Sequence, residues 1–462
     1  MLNYSFFPFK NILEELDGSD LSLLRDVSEG WYIDYKVQGL KVSDYGKHLA
    51  AFSNQYGGWL IIGISEKNDG SRTAGEFPGV EKSEVAKITL ALREAASAHV
   101  NPEVLYEEKV IDGPIDEINL AKGKSIVVVG IPRSVATPHI HSSGRIYRRV
   151  ADQSKPKEET DRYILDELWK RGNEHQQKNV RHLTKTPELP ECQSNSPWAY
   201  IFFKPSERQL PPTKKLSFDE FVRIVTNSDN SIVGVHAPLP AAHSALNGFV
   251  ARQIGDNDPS LALLTIRWWH DGSVRFDIPL SLYDLSNFAK THQKNIYAGQ
   301  YCRIAYENQC QDMKIVDYAM FVPIIVALTN CYLHMLKATD DQRDVFSCFT
   351  LRNVFHTSPF VDSSCFIDRI KSLSLPLTMD REIVLPKEPT EDNMFIHKAE
   401  LRKLNCSISN DEYQTVPYVF ATPLIYRIFN SVGLAPDWDS FVEDIEAWGL
   451  NKINSIAFPP NG

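Results

Sequence analysis

Three carboxylates and a lysine stand out by type and spacing near the start of the chain: Glu29, Asp34, Lys36 and, one apolar run later, Glu66. The first three sit in SEGWYIDYK, where aromatic or apolar residues alternate with polar ones, the period of a half-buried strand. Glu66 closes GGWLIIGISE. If these two strands pair side by side, their acids converge on one edge. Carboxylates brought together without cations repel, so such a cluster either binds a divalent metal or faces solvent. Mg2+ or Mn2+ held by Glu29, Asp34 and Glu66 can activate water and stabilise charge on a phosphodiester in transit. Lys36, on the same strand face as Asp34, then contacts a phosphate oxygen and completes a candidate catalytic set. The plain alternative is three acids on a sheet rim that do nothing more than solvate it.

The elements that position these residues read clearly from periodicity. An N-terminal arm containing SFFPF leads into NILEELDGSDLSLLRDVSE, which has helical apolar spacing. WYIDYKV follows as a strand. Ser43 and Asp44 are expected caps of a helix over DYGKHLAAFSNQ, with Leu49, Ala50 and Phe52 on one face. Asn54, Gly57 and Gly58 then make a tight turn, since Asn tolerates unusual backbone angles and Gly lets chains approach closely. WLIIGI is apolar throughout and reads as a strand buried on both sides. After the polar loop KNDGSRTAGEFPG come an amphipathic helix with Val85, Ile88 and Leu92, strands at VLYEEKVI, KSIVVVGIPR and GRIYRRV, and a helix, EETDRYILDELWKRG, expected to end at Gly172.

A chain of 462 residues is too long for one ordinary core. Polar residues with three prolines at 173–197 mark a linker. The expected organisation is a domain over 1–172, the linker, and a mixed α/β domain over 198–462. In that second domain WAYIFFKP, LALLTIRWWHDG and SVRFDIPLSL read as strands, with HDG turning between the last two. MKIVDYAMFVPIIVALTNCYLHMLKAT reads as helical, as do FSCFTLRNVFHTS, TPLIYRIFNSVGL and SFVEDIEAWGLNKI. The apolar stretch from Tyr318 to Leu333 contains Pro323 and Asn330 and falls short of the roughly 18–20 apolar residues of a membrane span, so a buried helix is expected and no membrane partner. The start lacks the basic region and apolar core of a signal peptide. Seven scattered cysteines without a C-x-x-C pair read as reduced thiols of a cytoplasmic protein. The net charge of −10 means that any nucleic-acid binding must rest on a local basic patch.

Residues 29–66 and the strands after them resemble the divergent AlbA-like domain of the Schlafen family. Its pattern runs acid, four residues, acid-x-Lys, a helix ending in A-F-x-N-x-x-G-G, and an apolar strand followed by an acid. This chain has Glu29, Asp34, Lys36, AAFSNQYGGWLIIGIS and Glu66, and later SIVVVGIPRSVATPHI with Gly144, Tyr147 and Arg148. The resemblance covers roughly residues 20–172. It implies an α+β fold: a mixed sheet with flanking helices that binds nucleic acid, RNA favoured over DNA. In nuclease-competent members three acids at these places form a metal-dependent site that cuts structured RNA such as tRNA. Glu29 and Asp34 match the first two acids, Asp34 in place of the more usual Glu. Glu66 matches the third, with Ser65 at the position where an Asp is also common. Vertebrate members pair two lobes around RNA, so one copy here implies a homodimer or higher oligomer. The family's zinc site is not evident, since His139 and His141 have no cysteine nearby.

Basic residues cluster after the central sheet: Arg133, Arg145, Arg148, Arg149, Lys155 and Lys157. With Lys36 they are the candidate phosphate contacts, and Tyr147 is the residue expected to stack an unpaired base. The alternative packs Tyr147 inward. In the second domain His270 and Asp271 read as a hairpin tip. Two functions follow: a metal-dependent endoribonuclease acting in stress or anti-phage defence, or a non-catalytic nucleic-acid-binding regulator whose second domain oligomerises or binds a partner.

Overall fold

The apolar run KSIVVVGIP becomes the central strand of the N-terminal sheet, because every residue after its first is buried and it needs cover on both faces. The structure is a computed structural model and describes residues 4–150, 155–226, 239–254, 261–400 and 415–444. Its helices and sheets are of the α+β class. The chain divides into two compact units, Met1–Lys178 with Glu207–Leu210, and Asn179–Ser206 with Pro211–Gly462.

In the first unit, β1 (Ile33–Lys36) pairs in parallel with β2 (Gly57–Ile62), linked by helix α1 (Val42–Asn54). The edge-to-edge register is Ile33 to Trp59 through Lys36 to Ile62. β2 runs antiparallel to the central strand, β5 (Lys124–Pro132), which also pairs with β3 (Val80–Glu81) and β4 (Glu107–Asp112). Alternation along β2 divides the core. Leu60 and Ile62 face α1 and helix α2 (Lys82–Ala98), packing with Leu49, Phe52, Ile88 and Leu92. Trp59 and Ile61 face the N-terminal arm, with Phe9, Leu13, Leu16 and Leu24. The arm folds as short turns of helix, among them Gly18–Ser22. The indole of Trp59 donates to the Phe6 carbonyl at 2.9 Å, while Phe7 and Phe9 meet its ring edge-on.

Among the boundaries that differ from the sequence expectation are the ends of two helices. Ser43 and Asp44 lie inside α1, whose N-cap is Lys41 with no side-chain cap; Asp44 pairs with Lys47 instead, at 2.8 Å. The helix expected to stop at Gly172 is α3 (Arg162–Thr184), which runs through it. Gly172 serves close packing: a Cβ there would lie 2.1 Å from the Thr137 carbonyl oxygen, and the Thr137 hydroxyl donates to the Leu168 carbonyl at 2.7 Å. The polar composition of 173–184 belongs to this helix.

The second unit is built on an eight-stranded sheet in which Trp198–Pro205 lies between Val274–Pro279 and Val345–Arg352. Thr265–Trp269 and Val274–Pro279 form the expected hairpin around His270-Asp271-Gly272. FSCFTLRNVFHTS was expected to be helical and is instead strands Val345–Arg352 and Thr357–Phe360, since Val345 to Leu351 are buried on both faces between flanking strands. The stretch expected to fall short of a membrane span lies in helix Phe321–Thr339, which is long and apolar enough to cross a membrane, and 67% of its apolar segment is buried inside the unit. Helix Thr415–Ser431 holds TPLIYRIFNS as expected, and the terminal helix is described over Trp438–Asp444. Residues 445–453 of that expected helix, and Cys406, lie outside the described residues; the other six cysteines are free thiols.

Candidate functional site

Glu29 and Asp34 do come together, in the interior and by a local fold of the chain before β1, whereas the parallel pairing of β1 with β2 does not carry Glu66 to them. Asp34 projects from the middle of β1 toward α1 and is fully buried. Glu29, in the turn before β1, folds back so that its Oε1 accepts the Tyr35 backbone N–H at 2.9 Å. Neither side chain has exposed surface.

Cations surround this pair. Arg149 is itself 0% exposed and donates Nη1 to Asp34 Oδ2 at 2.9 Å. Its Nη2 reaches the Gly30 carbonyl at 3.0 Å, and its guanidinium lies 5.0 Å over the Phe52 ring. Lys36 donates to Asp34 Oδ1, and to the Tyr35 carbonyl at 3.0 Å. His48 Nδ1 stands 2.7 Å from Asp34 Oδ2, close but off the line of its ring N–H. Arg72, in the glycine-rich loop, reaches Glu29 Oε2 at 3.3 Å and Glu66 Oε2 at 3.8 Å.

Burial alone would raise the Asp34 carboxyl. The approach of His48, the charges of His48 and Arg149, and the hydrogen bond with Glu29 outweigh it and hold Asp34 well below the usual range. Glu29 moves the other way: burial first, then the hydrogen bond and charge of Asp34, push it well above that range. Burial also lowers His48, against the pull of Asp34. The cluster is therefore an Asp34 anion matched by Arg149 and Lys36, beside a Glu29 carboxyl that burial and Asp34 drive toward its protonated form. These signs make a prediction. A raised Glu29 contributes stability that is full below the unfolded carboxylate range and is lost as pH rises through its folded value. Between mildly acidic pH and about 8 the parent's urea midpoint is expected to fall more steeply than that of the Glu29→Gln variant. Parallel slopes for the two proteins would contradict the assignment.

This donor set fits a divalent cation poorly. Both Asp34 oxygens and both Glu29 oxygens are already held by cations or a backbone amide, and Glu66 joins the pair through Arg72 alone. Among the described residues no three His, Cys, Asp or Glu side chains group closely enough to hold a metal ion. The loop histidines turn to the backbone: His139 Nδ1 lies 2.7 Å from the Pro102 carbonyl, and His141 Nε2 lies 3.0 Å from that of Ser43.

The expected nucleic-acid contacts divide. Arg149 and Tyr147 are corrections: Arg149 is a buried counter-ion, and Tyr147, 6% exposed, packs against the His141 ring and cannot stack a base. Arg145 and Arg148 form ion pairs with Glu158 and Glu159, acids that the sequence places one short strand later. Lys36 keeps 18% of its side chain exposed but is committed to Asp34. Arg133, Lys155 and Lys157 are exposed. Sequence reasoning missed His48 and Arg72. His48 shares a helix face with Phe52, and a histidine on an otherwise apolar face was its available signal; Arg72, in a polar loop, gave none.

Residues 29–158 match the family model described as Schlafen, AlbA_2, a family of nucleic-acid-binding domains. No curated protein matches. Among solved structures, the DIP2311 protein from Corynebacterium diphtheriae is similar at 16% identity and a TM-score of 0.20. That match covers 35% of this chain and 25% of the other.

Proposed function

We propose, from the premise that residues 29–158 are a Schlafen AlbA-like domain, that this protein holds nucleic acid without cutting it. One observation carries this reading: Asp34 and Glu29, the acids that would have to meet a phosphodiester, have no exposed surface and spend their hydrogen bonds on Arg149, Lys36, Arg72 and the Tyr35 amide. Their role is to fasten β1 to α1 and to the end of the domain. Binding then falls to surface arginines and lysines, whose contacts with phosphate give affinity that drops steeply with salt.

The endoribonuclease reading retains one observation in its favour, the convergence of Glu29 and Asp34. It requires Asp34 to leave two cations and become accessible. The two readings separate in one experiment on the full chain: fluorescence anisotropy of labelled structured RNA over a salt series, with a cleavage assay on the same RNA in Mn2+. We expect salt-sensitive binding and intact RNA. Cleavage that disappears in a folded Asp34→Asn variant would overturn the proposal.

A further inference from the structure

Two arginines, Arg133 and Arg171, lie beside a group of aromatic rings at the end of the sheet where β2 begins and β5 ends. Trp31 and Tyr32 occupy the turn ahead of β1, both half-buried. Tyr56, 38% exposed, sits in the turn before β2, its ring centroid 5.8 Å from Trp31 and 5.7 Å from Tyr32. The chain leaves β5 directly against this turn: a Cβ on Gly57 would lie 2.5 Å from the Arg133 backbone nitrogen. Arg133 therefore emerges, exposed, next to Tyr56.

Arg171 of α3 reaches the same place. Its Nη1 donates to the carbonyls of Asn54 at 3.1 Å and Ser134 at 3.4 Å, the residues two before Tyr56 and one after Arg133. Burial lowers its pKa, and the neighbouring charge of Arg133 lowers it further, against the pull of Glu167 and Tyr56. Glu167, the acid that faces Arg171 from its own helix, is shared with Lys170 at 3.9 Å. Two guanidinium groups held close enough to repel, beside a carboxylate that Arg171 shares with Lys170, make a site whose charge an anion would balance. An aromatic ring alongside adds a face for a base, and a base can use it only when it is not stacked within a duplex.

The geometry points to a binding site for single-stranded nucleic acid, with an unpaired base against Tyr56 and Trp31 and its flanking phosphate on Arg133 and Arg171. This rests on the nucleic-acid-binding reading above and names its surface and ligand class. The site uses none of the residues of the buried acid cluster.

The test measures binding of the full chain to a labelled single-stranded oligonucleotide, as RNA and as DNA, and to the blunt duplex of the same sequence. Tyr56→Ala is expected to weaken single-strand binding about 5- to 150-fold, with Tyr56→Phe near the parent, because base stacking survives loss of the hydroxyl. Arg133→Ala is expected to lower the slope of log affinity against log salt by about one. The duplex should bind more weakly than the single strand and be insensitive to Tyr56→Ala. Equal losses for RNA and DNA would identify base and phosphate as the recognised groups; a loss confined to RNA would add the 2′-hydroxyl and still support the site. A parent that binds and a Tyr56→Ala/Arg133→Ala double variant that binds equally well, with the same salt slope, would overturn this surface and leave the broader function standing. A parent that binds no nucleic acid would overturn both. Both side chains are exposed, so unchanged thermal unfolding of the variants is the folding control.

Discussion

Replacing Asp34 with alanine is expected to cost the N-terminal unit about 3–5 kcal/mol, because it leaves the guanidinium of Arg149 buried without its anion. That is a large share of the roughly 5–15 kcal/mol that holds a typical domain folded. Arg149 keeps its bonds to the Gly30 and Ile33 carbonyls, which orient it but carry no charge. The stabilisation by Asp34 is present above the ordinary carboxylate range and is lost as pH falls toward its depressed folded value, so the difference between parent and variant should shrink in acid. Because the chain has two units, the measurement should be local: hydrogen exchange of the β1 and α1 amides, or the urea transition assigned to this unit. The double variant Asp34→Ala/Arg149→Leu should recover part of the loss, since it removes the unmatched buried charge. Additive losses in the double variant would show that the two residues do not act as a pair.

Gly57→Ala should be nearly as damaging, by about 2–4 kcal/mol. Its φ of +76° is one that an L side chain adopts at a cost, and a Cβ would meet Arg133 N at 2.5 Å and the Ile131 carbonyl at 2.7 Å. Both obstacles are backbone of the central strand, held by the β2–β5 ladder, so neither can rotate away. The expected outcome is a lower thermal midpoint and faster exchange at both ends of that ladder. By contrast, Gly70→Ala, also at positive φ but with open space around it, should cost only the backbone strain. Equal losses at the two positions would remove the steric part of the argument.

The sequence was most informative where local physics and tertiary packing agree. WLIIGI and SIVVVGIP could only be strands covered on both faces, and the two-glycine turn needs the backbone freedom it has. The pattern from Glu29 through Asp34 and Lys36 to Gly57-Gly58 located the domain, and Glu29 and Asp34 do meet, through the turn before β1 and not through strand pairing with Glu66. It did not reveal that they are buried, because their partners come from far along the chain: Arg149 lies 115 residues after Asp34. A basic residue destined for an interior carboxylate looks, in sequence, like one destined for phosphate. The same ambiguity affected Arg145 and Arg148, whose partners Glu158 and Glu159 are acids on a short pairing strand. Gly172 misled for a different reason, since glycine marks both helix ends and close contacts, and here the contact was with Thr137. The Trp31–Tyr56 pair joins residues 25 apart that meet only after β1 and β2 align.

The position of the central strand also has a kinetic side. As the chain leaves the ribosome, β1 and α1 can form beside β2, but the other edge of Gly57–Ile62 must wait for Val127–Pro132, and Asp34 must wait longer still for Arg149. During that interval a wholly apolar strand presents an unpaired edge, the kind of surface that recruits another nascent chain. The N-terminal arm, which lays Phe9 and Leu13 over Trp59 and Ile61, is made before that strand and can cover one face of it early. Shortening the arm would thus be felt as aggregation during synthesis before it was felt in the stability of the finished domain.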